Sequence, residues 1–78
     1  MITLKQVLGL CSQATQVQII NNSVNDDIVY ENDENKFNTP LALSPVLKIY
    51  GKYKVNFMCV YKNKLVININ EVDVWTNI

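Results

Sequence analysis

The feature that most constrains this chain is the alternation of residues between Val55 and Asn70. Val55, Phe57, Cys59 and Tyr61 alternate with Asn56, Met58 and Val60, and Leu65, Ile67 and Ile69 alternate with Val66, Asn68 and Asn70. Successive side chains on a strand point to opposite faces, so two such stretches in a row predict a β-hairpin. A three-residue loop, Lys62-Asn63-Lys64, would pair Tyr61 with Leu65, Cys59 with Ile67 and Phe57 with Ile69, placing seven apolar side chains on one face. A two-residue loop would mix the faces, so the longer loop is expected. The opposite face still carries Met58, Val60 and Val66, too much apolar surface to stay wet, which predicts cover by a helix or a second subunit. After Ile69 the phase slips: Val72 and Val74 are apolar while Glu71 and Asp73 are not, which predicts a bulge near Asn70-Glu71 or a new edge segment. Trp75 and Ile78 bring apolar bulk to the end of the chain.

Upstream, Thr3 and Gln6 form a capping-box pair. Leu4, Val7, Leu8 and Cys11 then recur at helical spacing, predicting a short amphipathic helix over 4–11, which Gly9 weakens by about 1 kcal/mol relative to Ala. Gln16-Val17-Gln18-Ile19 reads as a strand with Val17 and Ile19 inward. Asn21-Asn22-Ser23 and Asn25-Asp26-Asp27 are turn residues that tolerate left-handed backbone, and residues 27–31 read as the returning strand. Residues 32–36 read as an exposed loop. The stretch 39–53 has two readings. Thr39-Pro40 and Ser44-Pro45 each resemble a cap followed by Pro at the first helical position, with Val46, Leu47, Ile49 and Tyr50 on one helical face ending near Gly51. Alternatively, 46–50 is a strand that turns at Gly51-Lys52. The helix is preferred. The expectation is a single α+β domain over residues 1–78: a short N-terminal helix, antiparallel hairpins, and a second short helix if 46–50 is helical.

With 78 residues, 49% of them apolar, the chain is globular but small. A domain of this size buries only about 60% of the surface its unfolded form exposes, so association with a partner or another copy is expected to help it. Eleven Asn, eight Ile and seven Lys without a single Arg fit an AT-rich coding sequence of a bacterium or phage. The opening Met1-Ile2-Thr3-Leu4-Lys5 lacks the long apolar stretch of a secretory signal, and no run is long enough to span a membrane, so a cytoplasmic location is expected. Cys11 and Cys59 are far apart and form no CxxC, which predicts two reduced, half-buried thiols rather than a disulfide or a metal site.

The missing side chains exclude much chemistry. Without His there is no Ser-His or Cys-His nucleophile pair, and without a glycine-rich loop there is no phosphate cradle. Asp26, Asp27, Glu31, Asp33 and Glu34 lie in turn-rich sequence with little apolar surface around them. They read as a solvated acidic interaction surface rather than a catalytic pair, and their spacing fails as a calcium loop. No catalytic residue, metal or cofactor is expected. Charge is nonetheless segregated: residues 21–35 carry five acids and no base, residues 36–64 six lysines and no acid. This pattern either keeps a small sheet soluble or marks two interaction surfaces. Tyr50, Lys52, Tyr53, Lys54, Tyr61, Lys62 and Lys64 interleave aromatics with cations, a composition suited to a nucleotide or a protein interface. Extended nucleic acid is disfavoured at zero net charge without Arg.

The opening Met1-Ile2-Thr3-Leu4-Lys5-Gln6-Val7-Leu8, the strand Thr15-Gln16-Val17-Gln18-Ile19 and the closing Val60-Tyr61-Lys62-Asn63-Lys64-Leu65-Val66-Ile67-Asn68-Ile69 resemble small accessory proteins encoded by phages and prophages of AT-rich bacteria. The resemblance covers the two ends of the chain and leaves 32–53 unmatched. It implies a non-enzymatic inhibitor of a host antiviral defence system. Such an inhibitor would bind a defence protein or, as an oligomer, sequester a small phosphorylated signal. A self-associating module without a ligand is the third reading.

Overall fold

The structure, a computed structural model, describes residues 1–32 and 36–71. Two helices and four strands follow one another as α1 (Leu4–Leu10), β1 (Val17–Asn21), β2 (Asp27–Glu31), α2 (Pro40–Tyr50), β3 (Lys54–Tyr61) and β4 (Lys64–Asn70). The α+β class and both hairpins match the expectation. The mixed sheet runs β2-β1-β4-β3: β1 and β4 lie parallel at its centre, and each carries its antiparallel partner on the outside. The parallel pair sets Val17 beside Leu65, Ile19 beside Ile67 and Asn21 beside Ile69. Joining β1 to β4 in this way places one inward row from each hairpin under the helices.

Helix α1 begins where the capping box places it. The Gln6 N–H donates to Thr3 Oγ1 (3.3 Å) and the Thr3 N–H donates to Gln6 Oε1 (2.9 Å). Two further N–H groups of its first turn are satisfied from outside the helix, Leu4 by the Tyr53 carbonyl and Lys5 by the Gly51 carbonyl, both at 3.0 Å. Helix α1 therefore docks on the segment linking α2 to β3. Leu4, Val7 and Leu8 face inward and pack with Val46 of α2 and with Ile19, Ile67 and Ile69 of the sheet.

Residues 46–50 are helical, as preferred. The helix starts at Pro40, with Thr39 as its cap (Ala42 N–H to Thr39 Oγ1, 3.1 Å), so Pro45 lies in its interior and Ser44 is no cap. Ile49 is exposed and does not share the buried face of Val46. Gly51 has an ordinary helical φ of −56°. A side chain there would run into the Leu47 carbonyl oxygen, so the glycine is required for space and not for backbone freedom.

Three further expectations are corrected. The β3–β4 loop has two residues, Lys62 and Asn63, both at positive φ (52° and 63°), so Tyr61 pairs with Lys64, Cys59 with Val66 and Met58 with Ile67. Two left-handed residues make the tight turn whose twist matches the flanking strands, and this outweighs the apolar alternation that favoured a longer loop. The register shifts between Val55 and Phe57, which restores only the start of β3 to the inward face. With Asn56 as the extra residue, Val55 returns to the helix side opposite Ile69, while Phe57, Cys59 and Tyr61 turn to the other side.

Asn32, expected in an exposed loop, is only 4% exposed. Its N–H donates to the Val17 carbonyl (3.2 Å), and its Oδ1 accepts from the Val17 N–H (2.8 Å), so it extends the β1–β2 ladder by one rung. The buried Asn38 continues this clamp: its N–H donates to the Gln13 carbonyl (2.8 Å), its Nδ2 to the Thr15 carbonyl, and its Oδ1 accepts from Tyr30 Oη (2.7 Å). The two asparagines tie the segment between β2 and α2 to the entry of β1.

The third correction concerns Cys59, which is exposed rather than half-buried. Cys11 is half-buried, and both thiols are free. The slip expected around Val72 and Val74, and the apolar Trp75 and Ile78, lie outside the described residues.

Candidate interaction surface

Strand β3 is an outer strand of the sheet. Val55 opposes the buried Ile69, but further along Phe57, Met58, Val60 and Tyr61 are 57, 44, 74 and 63% exposed. Met58 and Val60 point to the helix side, opposite Ile67 and Leu65, yet lie beyond the cover that the helices supply. Phe57, Cys59 and Tyr61 point to the other side. There Ile20 of β1 faces Ile28 of β2, and no helix packs on this side among the described residues. One strand thus exposes apolar side chains on both of its faces.

The open side has a polar half and an aromatic half. Near the start of β3 an amide network links β3 and β4 to the β1–β2 turn. The Asn56 Nδ2 donates to Asn22 Oδ1 (3.0 Å), Asn70 Nδ2 to Asn56 Oδ1 (3.1 Å), and Asn22 Nδ2 to both Asn68 Oδ1 (3.2 Å) and Asp26 Oδ1 (2.7 Å). Interlocked amides fix these side chains and leave few donors for a ligand. At the far end, beside the Lys62-Asn63 turn, Tyr61, Lys62, Lys64, Gln16, Gln18, Glu31 and Val66 line an open depression of about 380 Å³.

The seven tyrosines and lysines singled out from the sequence do not form one site. Lys54 and Tyr61 terminate an eight-residue strand and so lie roughly 23 Å apart at about 3.3 Å per residue. At one end Tyr50 and Tyr53 stack edge to face, 5.1 Å between ring centroids. Lys52 and Tyr53 line a separate cavity of about 360 Å³ with Lys48 and Glu71. Burial pushes the Tyr53 hydroxyl above its ordinary pKa, with smaller contributions from the Glu71 carboxylate and Tyr50. At the other end Lys62 lies over the Tyr61 ring (5.3 Å), and Lys64 bonds Glu31 (3.1 Å). Glu31 also accepts from Gln18 Nε2 at 2.5 Å. The carboxylate cancels one of the two cations in this depression, which makes it a poor cradle for several phosphates.

The acids are likewise divided. Asp26 and Asp27 sit at the β1–β2 turn, where Asn25 and Asp26 adopt positive φ. Glu31 lies at the opposite end of β2, paired with Lys64, while Asp33 and Glu34 lie outside the described residues. The segregation of charge along the sequence is therefore partly undone in space. Among the described residues no group of His, Cys, Asp and Glu could hold a metal ion, and no helix is long and apolar enough to cross a membrane.

Alternation put Phe57 in the apolar row and marked Met58 and Val60 as a face in need of cover, but did not show that all three stay exposed beside Tyr61. The available signal was the absence of any charge, proline or glycine from 55 to 61. Comparisons with protein-family models, curated proteins and solved structures find no match to this chain.

Proposed function

We propose that this chain is a non-enzymatic, cytoplasmic phage or prophage accessory protein that inhibits a host antiviral defence system by binding one of its protein components. The observation that carries the reading is the exposed apolar surface of β3, continued on the open side of the sheet by Ile20 and Ile28. Exposed patches of this kind mark protein interfaces, and Tyr61 and Phe57 are of the aromatic types enriched in interface cores. The resemblance of the chain's two ends to phage accessory proteins supplies the class of partner. The absence of imidazole and guanidinium groups supports action by occupying a surface rather than by making or breaking bonds.

The test is phage restriction in strains that each carry one defence system, with and without the expressed protein. Plating efficiency should rise with at least one system, and Phe57→Asp combined with Tyr61→Ala should abolish the rise. Undiminished restriction across the panel, or full activity of the double variant, refutes the proposal. A nucleotide sponge is the competing reading, favoured only by Tyr61, Lys62 and Lys64 sharing one depression. Calorimetry with a nucleotide panel separates the two: heat of binding that is lost in Lys62→Ala supports the sponge.

A further inference from the structure

We infer that the free edge of β3 pairs with the β3 edge of a second copy, antiparallel about a two-fold axis at Cys59, to make one eight-stranded sheet. This goes beyond the proposed function: it adds the backbone edge of β3 and the helix-side Met58 and Val60 to the Phe57 and Tyr61 surface already described.

The two-residue turn makes Tyr61 and Lys64 a hydrogen-bonded pair. Backbone groups alternate along an antiparallel strand, so those of Tyr61 and Cys59 bond to β4, while the N–H and C=O of Met58 and Val60 point away from it. The start of the same edge is already taken: the Val55 N–H donates to the Ile2 carbonyl (2.8 Å), and Thr3 bridges to Lys54. Among the described residues, the edge left free therefore runs from residue 57 to the turn at Lys62, with its midpoint at Cys59. Natural edges are blocked by inward charges, prolines or cover, and residues 57–61 contain neither charge nor proline.

The bounds of the free edge select one register. A two-fold axis at Met58 would drive Tyr61 of one copy onto Val55 of the other, where Ile2 is bound. An axis at Val60 would leave only three residues to pair. An axis at Cys59 uses all five: Met58 and Val60 of opposite copies exchange both backbone hydrogen bonds, and Phe57 of each copy meets Tyr61 of the other on the open side. Every pair is uncharged. At side-chain areas of about 150–250 Å², the exposed fractions of Phe57, Met58, Val60 and Tyr61 amount to on the order of 400 Å² per copy. Two copies with their edge backbones approach about 1,000 Å², the lower end of specific interfaces.

Sedimentation of the intact chain from low micromolar to submillimolar concentration tests this. The apparent mass should climb from 8.9 kDa towards twice that value. Val60→Lys, at a position that is 74% exposed, should fold normally and dimerise at least tenfold more weakly. Register is read by a short bismaleimide in a Cys11→Ser background, where Cys59 of one copy should cross-link to Cys59 of the other because directly opposed residues of this kind lie about 4.5 Å apart at Cα. A monomer at every concentration, a Val60→Lys dimer as tight as the original, or a dimer without the Cys59 cross-link overturns the inference. These readouts are independent of phage restriction, so the dimer and the proposed function can fail separately.

Discussion

Asn32→Ala should be among the most damaging polar substitutions in this protein, although it removes only an amide from a segment that looks like a surface loop. In the structure Asn32 Oδ1 accepts the Val17 N–H at 2.8 Å, and Val17 is completely buried. Alanine leaves that donor without a partner in a site water cannot readily reach, a cost of about 1–3 kcal/mol. The Nδ2 bonds to the Thr15 and Lys36 carbonyls are long, 3.4 and 3.5 Å, and Thr15 keeps its bond from Asn38, so they add only a few tenths by the same reasoning. The sum is about 2 kcal/mol against a total of roughly 4–12 kcal/mol for a domain of this length. The melting temperature should fall by about 8–16 °C. Urea unfolding followed by circular dichroism measures the loss, and an unchanged slope would show that the unfolded state is not the cause. Asn56→Ala is the control: it also removes a bonded amide, but an exposed one, and should stay within about 0.5 kcal/mol. The reasoning is refuted if Asn32→Ala costs no more than Asn56→Ala, or if hydrogen exchange at the Val17 amide is unchanged.

Three further outcomes are expected. Gly51→Ala should destabilise by about 1–3 kcal/mol, because the added methyl displaces the Leu47 carbonyl and with it the Gly51 carbonyl that holds Lys5; melting at the wild-type temperature would refute this. Stability should decline in alkaline solution. Burial raises Cys11 above its ordinary 9.0, and Tyr30 and Tyr53 above 10.0, so the folded chain holds these protons after the unfolded chain has released them. The stability they contribute is complete below those ordinary values and is lost as pH rises through the raised ones, so a denaturation midpoint that climbs above about pH 9 contradicts the assignment. Finally, a thiol reagent at mildly alkaline pH should label the exposed Cys59 well before the half-buried Cys11, as peptide mapping of a time course would report; equal rates would place Cys11 wrongly.

Local chemistry made much of this molecule legible in its sequence. The Thr3–Gln6 box, the inward row of Leu4, Val7 and Leu8, the Thr39-Pro40 helix start and the Asn25-Asp26 turn each depend on groups within a few residues of one another, and short-range sterics and hydrogen bonding decide them. The hairpin at 54–70 was legible for the same reason, though not its register: alternation counts apolar residues without weighing the turn against a bulge, and the left-handed Lys62-Asn63 pair with Asn56 as the extra residue resolved that competition. What only the tertiary structure decided were the long-range pairings. Placing β1 beside β4 brings together residues nearly fifty positions apart, sends Glu31 to Lys64 across the charge divide, and leaves β3 on the outside with its apolar side chains uncovered. A strand's neighbours are set by which faces can be buried together, and that is a property of the whole sheet rather than of any one segment.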